Sequence, residues 1–370
     1  MNRDPQLSIV HVLWSGNVGG IERLVADLAV EQARQGIRVK VAFGQAVGPF
    51  VEAIRTAGIE AAELGFVNGY DLRPRRASRA ARMLTWADIV HLHGYNPSFE
   101  FLCRRAARPI VFTEHGNFGH GRARGHRHRV KERLKARFLR QRVSVIAANS
   151  AYTAARLAGL YGIPEEAVHI VHNGIPRTPP DVHVPRTTRA DGSLRVAFVG
   201  RLAGVKRVDR LIDAVSLIAG PRSPSVTIAG GGPLEADLRA RTAALGVEGH
   251  IAFVGPCADV PDLFASSDVV VLPSSGEAFG LTVVEGSAAG AVAIVFADGG
   301  GALEVIPPDG IVVRDVEELA STFERLHESP AISSEARLAR ATWAQETFPI
   351  SRTHEKYHEL YRLALRNRLA

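Results

Sequence analysis

Residues 7–29 read LSIVHVLWSGNVGGIERLVADLA and change from one hydrophobic pattern to another. Residues 7–14 form an apolar run of strand length, and a glycine-rich turn occupies residues 15–20. After the turn, apolar side chains recur at helical spacing, namely at Ile21, Leu24, Val25, Leu28 and Ala29. A strand, a tight turn and a helix in this order predict the first unit of a parallel α/β domain.

The same alternation continues through the first half of the chain. Apolar runs predict further strands at residues 38–43, 59–64, 87–94, 109–113, 143–149 and 168–171. Ser150 stands in the N-cap position of a helix predicted over residues 151–160. Short strands separated by helices indicate a parallel sheet that is covered on both faces.

A second α/β domain follows a break in this pattern. Residues 177–193 are rich in Pro, Thr and Asp and have no periodicity, which is typical of a linker. Strands are then predicted at residues 194–200, 225–229, 251–255, 269–273 and 292–296, with helices at 208–219, 234–245 and 281–289. The prediction is therefore two Rossmann-like parallel-sheet domains, at residues 1–180 and 194–345, with a linker at 181–193 and a C-terminal helix at 346–370.

The composition is that of a globular protein with a basic balance. The chain has 370 residues, of which 46% are hydrophobic and 22% charged, and its formal net charge is +7. Such a balance is typical of proteins whose partners are nucleic acids, anionic lipids or phosphorylated substrates. The sequence contains no helix-turn-helix, zinc or aromatic-basic motif, so we expect no nucleic-acid partner.

The cysteines and the N-terminal residues favour the cytoplasm. Cys103 and Cys257 lie far apart and form no CxxC motif, which argues against a disulfide framework or a zinc site. The first residues lack the pattern of a signal peptide, and no stretch approaches the roughly 20 apolar residues of a membrane span. We therefore expect a cytoplasmic protein, either soluble or peripheral at the inner face of the membrane.

Two cations follow a predicted strand of the second domain. Residues 199–206 read VGRLAGVK, so the strand delivers Arg201 and Lys206 at its carboxyl end. Ligands of open α/β sheets bind at that edge, and two cations there can clamp a diphosphate. The alternative is that both residues are solvated charges on a surface loop.

Two glutamates mark a second candidate site. Residues 277–285 read EAFGLTVVE, and a helix that starts near Gly280 would offer its free N–H groups and its positive dipole end to a phosphate. Glu285 would lie in that helix beside Val283 and Val284, where a carboxylate is costly unless ribose or sugar hydroxyls donate to it. The alternative is a helix-capping Glu277 and a surface Glu285.

In this order and at these separations, the motifs resemble the donor site of retaining GT-B glycosyltransferases, specifically glycosyltransferase family 4. The resemblance extends over nearly the whole chain. It includes the glycine turn at Gly19 and Gly20, the Asn173-Gly174 turn, and the strand at residues 268–274 that leads into the glutamate motif. It implies a glycosyltransferase with the GT-B fold, in which the C-terminal helix crosses back onto the first domain.

The resemblance also implies roles for individual residues. Arg201 and Lys206 would neutralise the donor pyrophosphate. Glu285 would bind the ribose, Glu277 would contact the donor sugar, and residues 254–256 would lie near the nucleobase. The complete set expected to bind the donor is Gly19, Gly20, Arg201, Lys206, Val254, Gly255, Pro256, Glu277, Phe279, Gly280, Leu281 and Glu285.

His115 is the candidate catalytic residue of the first domain, beside Arg201, Lys206 and Glu277 of the second. It follows a predicted strand, and a family histidine at such a position points into the cleft near the transferred sugar. Its neutral ring could donate to a sugar hydroxyl or stabilise positive charge, whereas the alternative is a structural histidine at a strand end. The pattern of His91 and His93 is more often packing than metal ligation, so we assign no metal site.

A basic segment interrupts the first domain. Between Arg122 and Arg142 it carries ten cations against one acid. Val130, Leu134 and Phe138 repeat every four residues, which predicts an amphipathic helix with an apolar stripe on the sheet and a cationic face outward. This face would bind an anionic membrane surface or a phosphorylated acceptor; the alternative is a solvated face beside a flexible loop.

The resemblance implies a transfer that retains the anomeric configuration. The sequence offers no sugar-facing Asp/Glu pair as nucleophile and acid, so we expect a front-face displacement in which the leaving diphosphate is stabilised electrostatically. No DxD-like motif stands at the donor site, and we expect neither a metal nor a cofactor besides a UDP-, GDP- or ADP-sugar. The expected acceptor is a lipid-linked or cell-envelope glycan. A GT-B-fold epimerase or phosphorylase and a non-catalytic nucleotide-sugar-binding protein are the alternatives.

Overall fold

Parallel sheets form the core of each half of the computed structural model, which describes residues 7–17, 19–116, 126–177, 193–218, 223–257, 259–327, 329 and 332–369. The chain divides into two compact units. The first comprises Met1–Pro176 and Ile350–Ala370, and the second comprises Arg177–Pro349. The prediction of two α/β domains with parallel sheets is confirmed.

Seven strands from the described part of the first unit form one parallel sheet. In chain order they are β1 (Ser8–Leu13), β2 (Arg38–Phe43), β3 (Glu60–Glu63), β4 (Ile89–Leu92), β5 (Ile110–Glu114), β6 (Val145–Ala148) and β7 (Val168–Ile170). Across the sheet their order is β3-β2-β1-β4-β5-β6-β7, so the progression reverses between β1 and β4. Open α/β sheets bind ligands at such a reversal, outside the carboxyl ends of the strands.

Helices connect and cover these strands. They are α1 (Gly20–Arg34), α2 (Pro49–Thr56), α3 (Pro74–Leu84), α4 (Pro97–Ala106), α5 (His126–Arg142), α6 (Ala151–Tyr161) and, from the end of the chain, α13 (Ile350–Leu369). Proline opens α2, α3 and α4, because the first helical residue needs no N–H donor. Ser150 caps α6 as predicted, since its hydroxyl accepts from the Thr153 N–H at 3.0 Å.

The two faces of the first sheet alternate along each strand. Val10 and Val12 of β1 belong to the core on one face, whereas Ile9 belongs to the core on the other, which includes Tyr357 of α13. His11 follows Ile9 by two residues and therefore points to the same face as Ile9. This places a polar side chain beneath α1 and α13, near the carboxyl edge of the sheet.

Six strands from the described part of the second unit form the other parallel sheet. They are β8 (Arg195–Val199), β9 (Ser225–Ala229), β10 (Ile251–Gly255), β11 (Val269–Leu272), β12 (Val292–Phe296) and β13 (Ile311–Val313). Their order is β10-β9-β8-β11-β12-β13, and the reversal lies between β8 and β11. The first five were predicted from their apolar runs. Strand β13 was not predicted, because it has only three residues.

The helices of the second unit were predicted in part. They are α7 (Val208–Ser216), α8 (Glu235–Ala244), α9 (Val260–Ala265), α10 (Leu281–Ala288), α11 (Val316–Leu326) and α12 (Ser334–Thr347). The predictions near α7, α8 and α10 are confirmed. We predicted neither α11 nor α12, although Asp315 and Ser333 cap them with side-chain hydrogen bonds and give a recognisable start signal.

The chain leaves the first unit after β7 and re-enters it at the start of α13. These two positions lie next to each other. The Ile350 N–H donates to the Ile175 carbonyl at 2.8 Å. A Cβ atom on Gly174 would lie 2.6 Å from the Ile350 Cα, so only glycine permits this close approach. The C-terminal helix therefore packs on the first unit. Of the predicted linker at 181–193, only Ser193 lies within the described residues.

Candidate active site

Two loops meet at the strand-order reversal of the second sheet. One follows β8 and carries Arg201 and Lys206, and the other follows β11 and carries Glu277. Their backbones are joined by a hydrogen bond from the Ser275 N–H to the Val205 carbonyl at 2.9 Å. The sequence thus brings two distant charged motifs to the position where this class of sheet binds ligands.

Lys206 and Glu277 form an ion pair that links the two loops. The Lys206 Nζ lies 2.7 Å from a Glu277 carboxylate oxygen, and the side chains are 18% and 16% exposed. Burial opposes ionisation of Glu277, but the charge and hydrogen bond of Lys206 outweigh it and hold the pKa of this carboxyl below its usual value. The Glu277 carboxylate is therefore charged at neutral pH and holds the lysine in a fixed position.

The loop after β12 holds the Glu277 backbone. The Gly276 N–H donates to the Asp298 carbonyl at 2.8 Å, and the Glu277 N–H donates to the Gly299 carbonyl at 3.1 Å. Arg210 of α7 binds the Asp298 carboxylate with two hydrogen bonds of 2.7 and 2.8 Å. These hydrogen bonds lower the pKa of Asp298 to about 2. Helix α7 and the strand-end loops thus position Glu277 before any ligand binds.

Other predicted donor residues of the second unit lie close to Lys206 or Glu277 in the sequence. Gly280 has a φ of 92° and precedes α10, so it allows the turn that a side chain would strain. Phe279 is buried and its ring packs edge-on against Phe348, which supports the loop from within. Arg201 is exposed, whereas Leu281 and Glu285 of α10 are half-buried.

The predicted nucleobase segment, Val254, Gly255 and Pro256, is at the end of β10. Val254 is 51% exposed. The Gly255 carbonyl accepts from the Gly230 N–H at 2.7 Å, which ties this edge strand to the loop after β9. The segment therefore lies at the same carboxyl edge of the sheet as Arg201, although on its outermost strand.

The structure adds a glycine run that sequence reasoning missed, residues 230–232. A Cβ atom on Gly230 would lie 1.9 Å from the Gly200 carbonyl oxygen, and one on Gly232 would lie 2.3 Å from the Leu202 carbonyl oxygen. These glycines let the loop after β9 pack directly on the loop that bears Arg201. Three consecutive glycines after a predicted strand were the available signal.

In the first unit, the predicted glycine turn precedes α1 at the strand-order reversal between β1 and β4. Gly19 precedes the helix and Gly20 opens it. A Cβ atom on Gly20 would meet no described atom within 4 Å, and one on Gly19 would meet only the flexible Glu22 side chain. Crowding within the described part of the protein therefore does not require glycine at these two positions.

His115 follows β5, is half-buried, and extends a row of histidines that includes the buried His93 and His11. Its Nε2 lies 3.0 Å from the His93 Nδ1, and the His93 Nε2 lies 2.9 Å from the His11 Nδ1. Burial lowers the pKa of His115 to about 4, although the neighbouring Glu114 carboxylate opposes this shift. The ring is therefore neutral at pH 7, as the predicted role requires.

Glu114 and Lys135 hold the turn at His115. The Lys135 Nζ lies 2.5 Å from one Glu114 carboxylate oxygen, and both side chains are buried. The other carboxylate oxygen accepts from the Gly116 N–H at 3.0 Å. This pair corrects one detail of the predicted basic face, because Lys135 of α5 points inward and neutralises a buried carboxylate.

The rest of α5 presents a cationic surface with apolar residues in it. Phe138 is buried, but Val130 and Leu134 are each 40% exposed. The apolar stripe therefore packs inward only at its C-terminal end, contrary to the prediction that it packs on the sheet along its length. The described cations with exposed side chains are Arg129, Arg133, Arg137, Arg140 and Arg142. Arg122 and Arg124 lie outside the described residues.

His11, His91 and His93 form a cluster that we did not predict as a site. One ring nitrogen from each residue lies within 4.8 Å of those of the other two, a grouping compatible with a metal ion. Each ring nitrogen, however, already lies within hydrogen-bond distance of another protein group. The signal in the sequence was an alternation that places Ile9 and His11, and likewise Ile89 and His91, on one sheet face.

None of the helices in the described residues combines the length and the hydrophobicity that a membrane-spanning segment requires.

Comparison with known families identifies two consecutive regions. Residues 18–178 match the family described as Glycosyltransferase Family 4, and residues 183–344 match Glycosyl transferases group 1. A D-inositol 3-phosphate glycosyltransferase of Jonesia denitrificans is 28% identical over 89% of each chain. The protein of the same name from Mycolicibacterium smegmatis is 27% identical over 94% of this chain and 88% of its own.

Solved glycosyltransferases share the fold. Anabaena HepE, in complex with UDP and glucose, superposes with a TM-score of 0.80 at 19% identity, over 96% of this chain and 99% of that one. A glycosyltransferase from Rickettsia africae superposes with a TM-score of 0.76 at 18% identity, over 98% of this chain and 99% of that one.

The sequence motifs, the two sheets and these matches agree. The family regions cover every strand of both sheets except β1, and the charged loops lie at the strand-order reversal of the second sheet, where sheets of this class bind ligands. Sugar transfer from a nucleotide sugar is the activity that accounts for all of them. The protein belongs to the GT-B glycosyltransferases of family 4.

Proposed function

We propose that the protein is a retaining, metal-independent glycosyltransferase that moves a hexosyl or related group from a UDP-, GDP- or ADP-sugar to a lipid-linked or cell-envelope glycan. The observation that carries the proposal is the Lys206–Glu277 ion pair at the strand-order reversal of the second sheet. Such a position favours binding of the donor, and a fixed cation there favours departure of a diphosphate.

The charges of the second unit support the proposed roles. Arg201 is exposed on the loop that carries Lys206, so both cations can reach one pyrophosphate. The first N–H groups of α10 add further donors to an anion. The leaving diphosphate itself would take the proton of the acceptor hydroxyl, so the chemistry needs positive charge more than a side-chain base.

The stereochemical course tests the mechanism directly. Donors are screened first by thermal shift with UDP-, GDP- and ADP-sugars, because a ligand that binds the folded state raises its stability. UDP-glucose is included because HepE has been solved with it. Product formed in the presence of EDTA is expected to keep the anomeric configuration of the donor, as seen by NMR. An inverted product would contradict the retaining mechanism, and activity that returns only with added manganese would contradict metal independence.

Substitutions at the Lys206–Glu277 ion pair and at Glu285 should separate nucleotide binding from sugar transfer. Lys206→Ala is expected to lower turnover roughly a hundredfold, because one donor to the developing charge is lost. Glu285→Gln should mainly weaken binding of the bare nucleoside diphosphate, whereas Glu277→Gln should spare that affinity and impair sugar transfer. Calorimetry with the diphosphate and steady-state kinetics measure both effects. The exposed Arg314→Ala is the control; equal affinity losses in both glutamate variants would refute the division of roles.

The exposed face of α5 supports a membrane-bound acceptor. It combines five exposed arginines with two partly exposed apolar side chains, Val130 and Leu134. Cations near an anionic bilayer contribute about 1 kcal/mol each, and apolar side chains between them can enter the interface. The proposed location is therefore cytoplasmic, at the inner membrane face.

Liposome sedimentation tests this surface. The protein is expected to sediment with vesicles that contain phosphatidylglycerol and to be released by moderate salt, since the attraction is screened within a Debye length. Changing Arg129, Arg133, Arg137 and Arg140 to Gln should abolish sedimentation while donor hydrolysis in solution continues. A wild-type protein that ignores anionic vesicles at low salt would favour a small phosphorylated acceptor, which is the kind of substrate named for the inositol phosphate relatives.

A further inference from the structure

A continuous row of buried polar groups connects α13 with His115. It starts at Tyr361 of α13 and passes through Gln32 of α1, whose amide lies 3.1 Å from the Tyr361 hydroxyl. It continues through His11, 2.8 Å from Gln32, and then through His93 to His115. Gln32, His11 and Tyr361 are completely buried, and His93 is 5% exposed.

The direction of the hydrogen bonds in this row is determined by Gln32. A neutral imidazole has one N–H and one lone pair, so hydrogen bonds along a row of rings must all run the same way. The Gln32 Nε2 donates to Tyr361, which leaves its Oε1 to accept from the His11 Nε2–H. His11 Nδ1 then accepts from the His93 Nε2–H, and His93 Nδ1 accepts from the His115 Nε2–H.

The row ends in a lone pair at His115. With its proton on Nε2, the ring presents Nδ1 as a hydrogen-bond acceptor. This Nδ1 is buried and has no hydrogen-bond partner among the residues that the structure describes. A buried nitrogen without a partner is costly, which favours a ligand that donates a hydrogen bond to it.

We propose that Gln32, His11 and His93 are positioning residues that fix His115 as the Nε2–H tautomer, so that its Nδ1 accepts a hydrogen bond from a sugar hydroxyl. The sugar as ligand rests on the proposed function, but the tautomer does not. The sequence left two roles open for His115, donation to a sugar hydroxyl or stabilisation of positive charge. The row argues against donation, because the Nε2–H is already bonded to His93 and Nδ1 carries a lone pair.

Neutral rings are required for this tautomer, and the surroundings supply them. Burial lowers the pKa of His11 to about 4 and that of His93 well below its usual value. The neighbouring charges are already engaged, because Glu114 pairs with Lys135 on the β5 side. On the α13 side the row meets the hydroxyls of Tyr357 and Tyr361, whose pKa values are raised by burial. Each ring therefore carries one proton at neutral pH.

The cluster of His11, His91 and His93 also has the geometry to attract a metal ion, but the hydrogen bonds favour the row. His91 lies 2.9 Å from the Tyr361 hydroxyl and 2.8 Å from the Thr113 hydroxyl, so its two nitrogens face protein groups. A metal would have to break the bond between His11 and His93. The structure therefore assigns the cluster to hydrogen bonding.

Nitrogen NMR of the histidine rings tests the proposal without any substrate. In protein labelled with ¹⁵N-histidine, the His115 ring, assigned by its loss in His115→Gln, is expected to show one tautomer with the proton on Nε2. Gln32→Leu removes the group that sets the direction, so both tautomers of His115 should then be populated. Ser98→Ala removes a buried hydroxyl outside the row and should leave the His115 signal unchanged.

Turnover provides the second readout. Gln32→Leu is expected to lower kcat about tenfold, the equivalent of about 1.4 kcal/mol, and to leave nucleoside diphosphate affinity unchanged. A wild-type His115 protonated on Nδ1, or a stoichiometric metal in the purified protein, would overturn the proposal. If the protein transfers no sugar, the NMR result still decides whether the row fixes the tautomer, so the two failures are distinguishable.

Discussion

Lowering the pH is expected to unfold the first unit steeply between pH 6.5 and 4. Burial lowers the pKa of His11 and His115 from 6.5 to about 4, and it also holds the pKa values of His91 and His93 well below the usual value. In this interval the unfolded chain binds protons at all four rings, whereas the folded unit binds few. The contribution of these four rings to the free energy of unfolding is therefore constant above about pH 7. It decreases as the pH falls below that value.

The magnitude follows from the number of protons. Each proton taken up only by the unfolded chain lowers the free energy of unfolding by about 1.4 kcal/mol per pH unit. Four such protons give a slope of about 5 kcal/mol per pH unit, against a typical domain stability of about 5–15 kcal/mol. The unit should therefore lose its structure within about one to three pH units below 6.5.

Urea unfolding at several pH values measures this slope, and hydrogen exchange with mass spectrometry assigns it to the first unit. The second unit is the internal control, because its described residues include no comparable cluster of buried histidines. A dependence below about 1.4 kcal/mol per pH unit would mean that fewer than one of these rings resists protonation.

Replacing Lys135 by methionine is expected to destabilise the first unit by about 3–5 kcal/mol, because it removes the cation that lies against the buried carboxylate of Glu114. The two groups lie 2.5 Å apart, and their side chains are 7% and 3% exposed. Methionine has nearly the volume of lysine, so the loss comes from the charge more than from the packing. Urea unfolding at pH 7 gives the change in free energy.

Two further variants separate charge from packing. Arg133→Met makes the same kind of change on the exposed face of α5 and should alter stability by less than about 0.5 kcal/mol. The double variant Glu114→Gln, Lys135→Met removes both charges and should recover much of the loss. If the double variant is no more stable than Lys135→Met alone, an uncompensated carboxylate is not the cause.

The Glu114–Lys135 pair should also affect function, through the turn that carries His115. Glu114 accepts from the Gly116 N–H and so holds the turn that carries His115. Loss of Lys135 should therefore lower turnover even at temperatures where the protein stays folded.

The sequence predicted the parts of this fold that depend on local patterns. The apolar runs predicted strands β2, β9, β10 and β12 at their observed bounds. Strand β12 is buried along its whole length, and a strand of this kind is a continuous hydrophobic run in the sequence. The cap at Ser150 and the turn at Gly280 were also local signals. Charges at strand ends were sufficient to nominate Arg201, Lys206 and Glu277.

Pairings between distant residues could not be predicted in this way. His91 contacts Tyr361, 270 residues later in the chain, and Lys206 contacts Glu277, 71 residues later. Both contacts depend on strand order, which periodicity alone does not reveal. The orientation of α5 was wrong in part for the same reason, because the inward position of Lys135 is set by Glu114 on another element.

The adjacent exit and entry points at Ile175 and Ile350 make the second unit an insertion within the first. Ile175, where the chain leaves the first unit, is hydrogen-bonded to Ile350, where the chain returns. The two ends of the first unit, which is the host of the insertion, are therefore close together. We therefore expect that a short linker can close the host after residues 177–349 are removed. Changes within the insert can leave the histidine row intact, because the three strands and two helices that carry or precede its residues, β1, β4, β5, α1 and α13, all belong to the host.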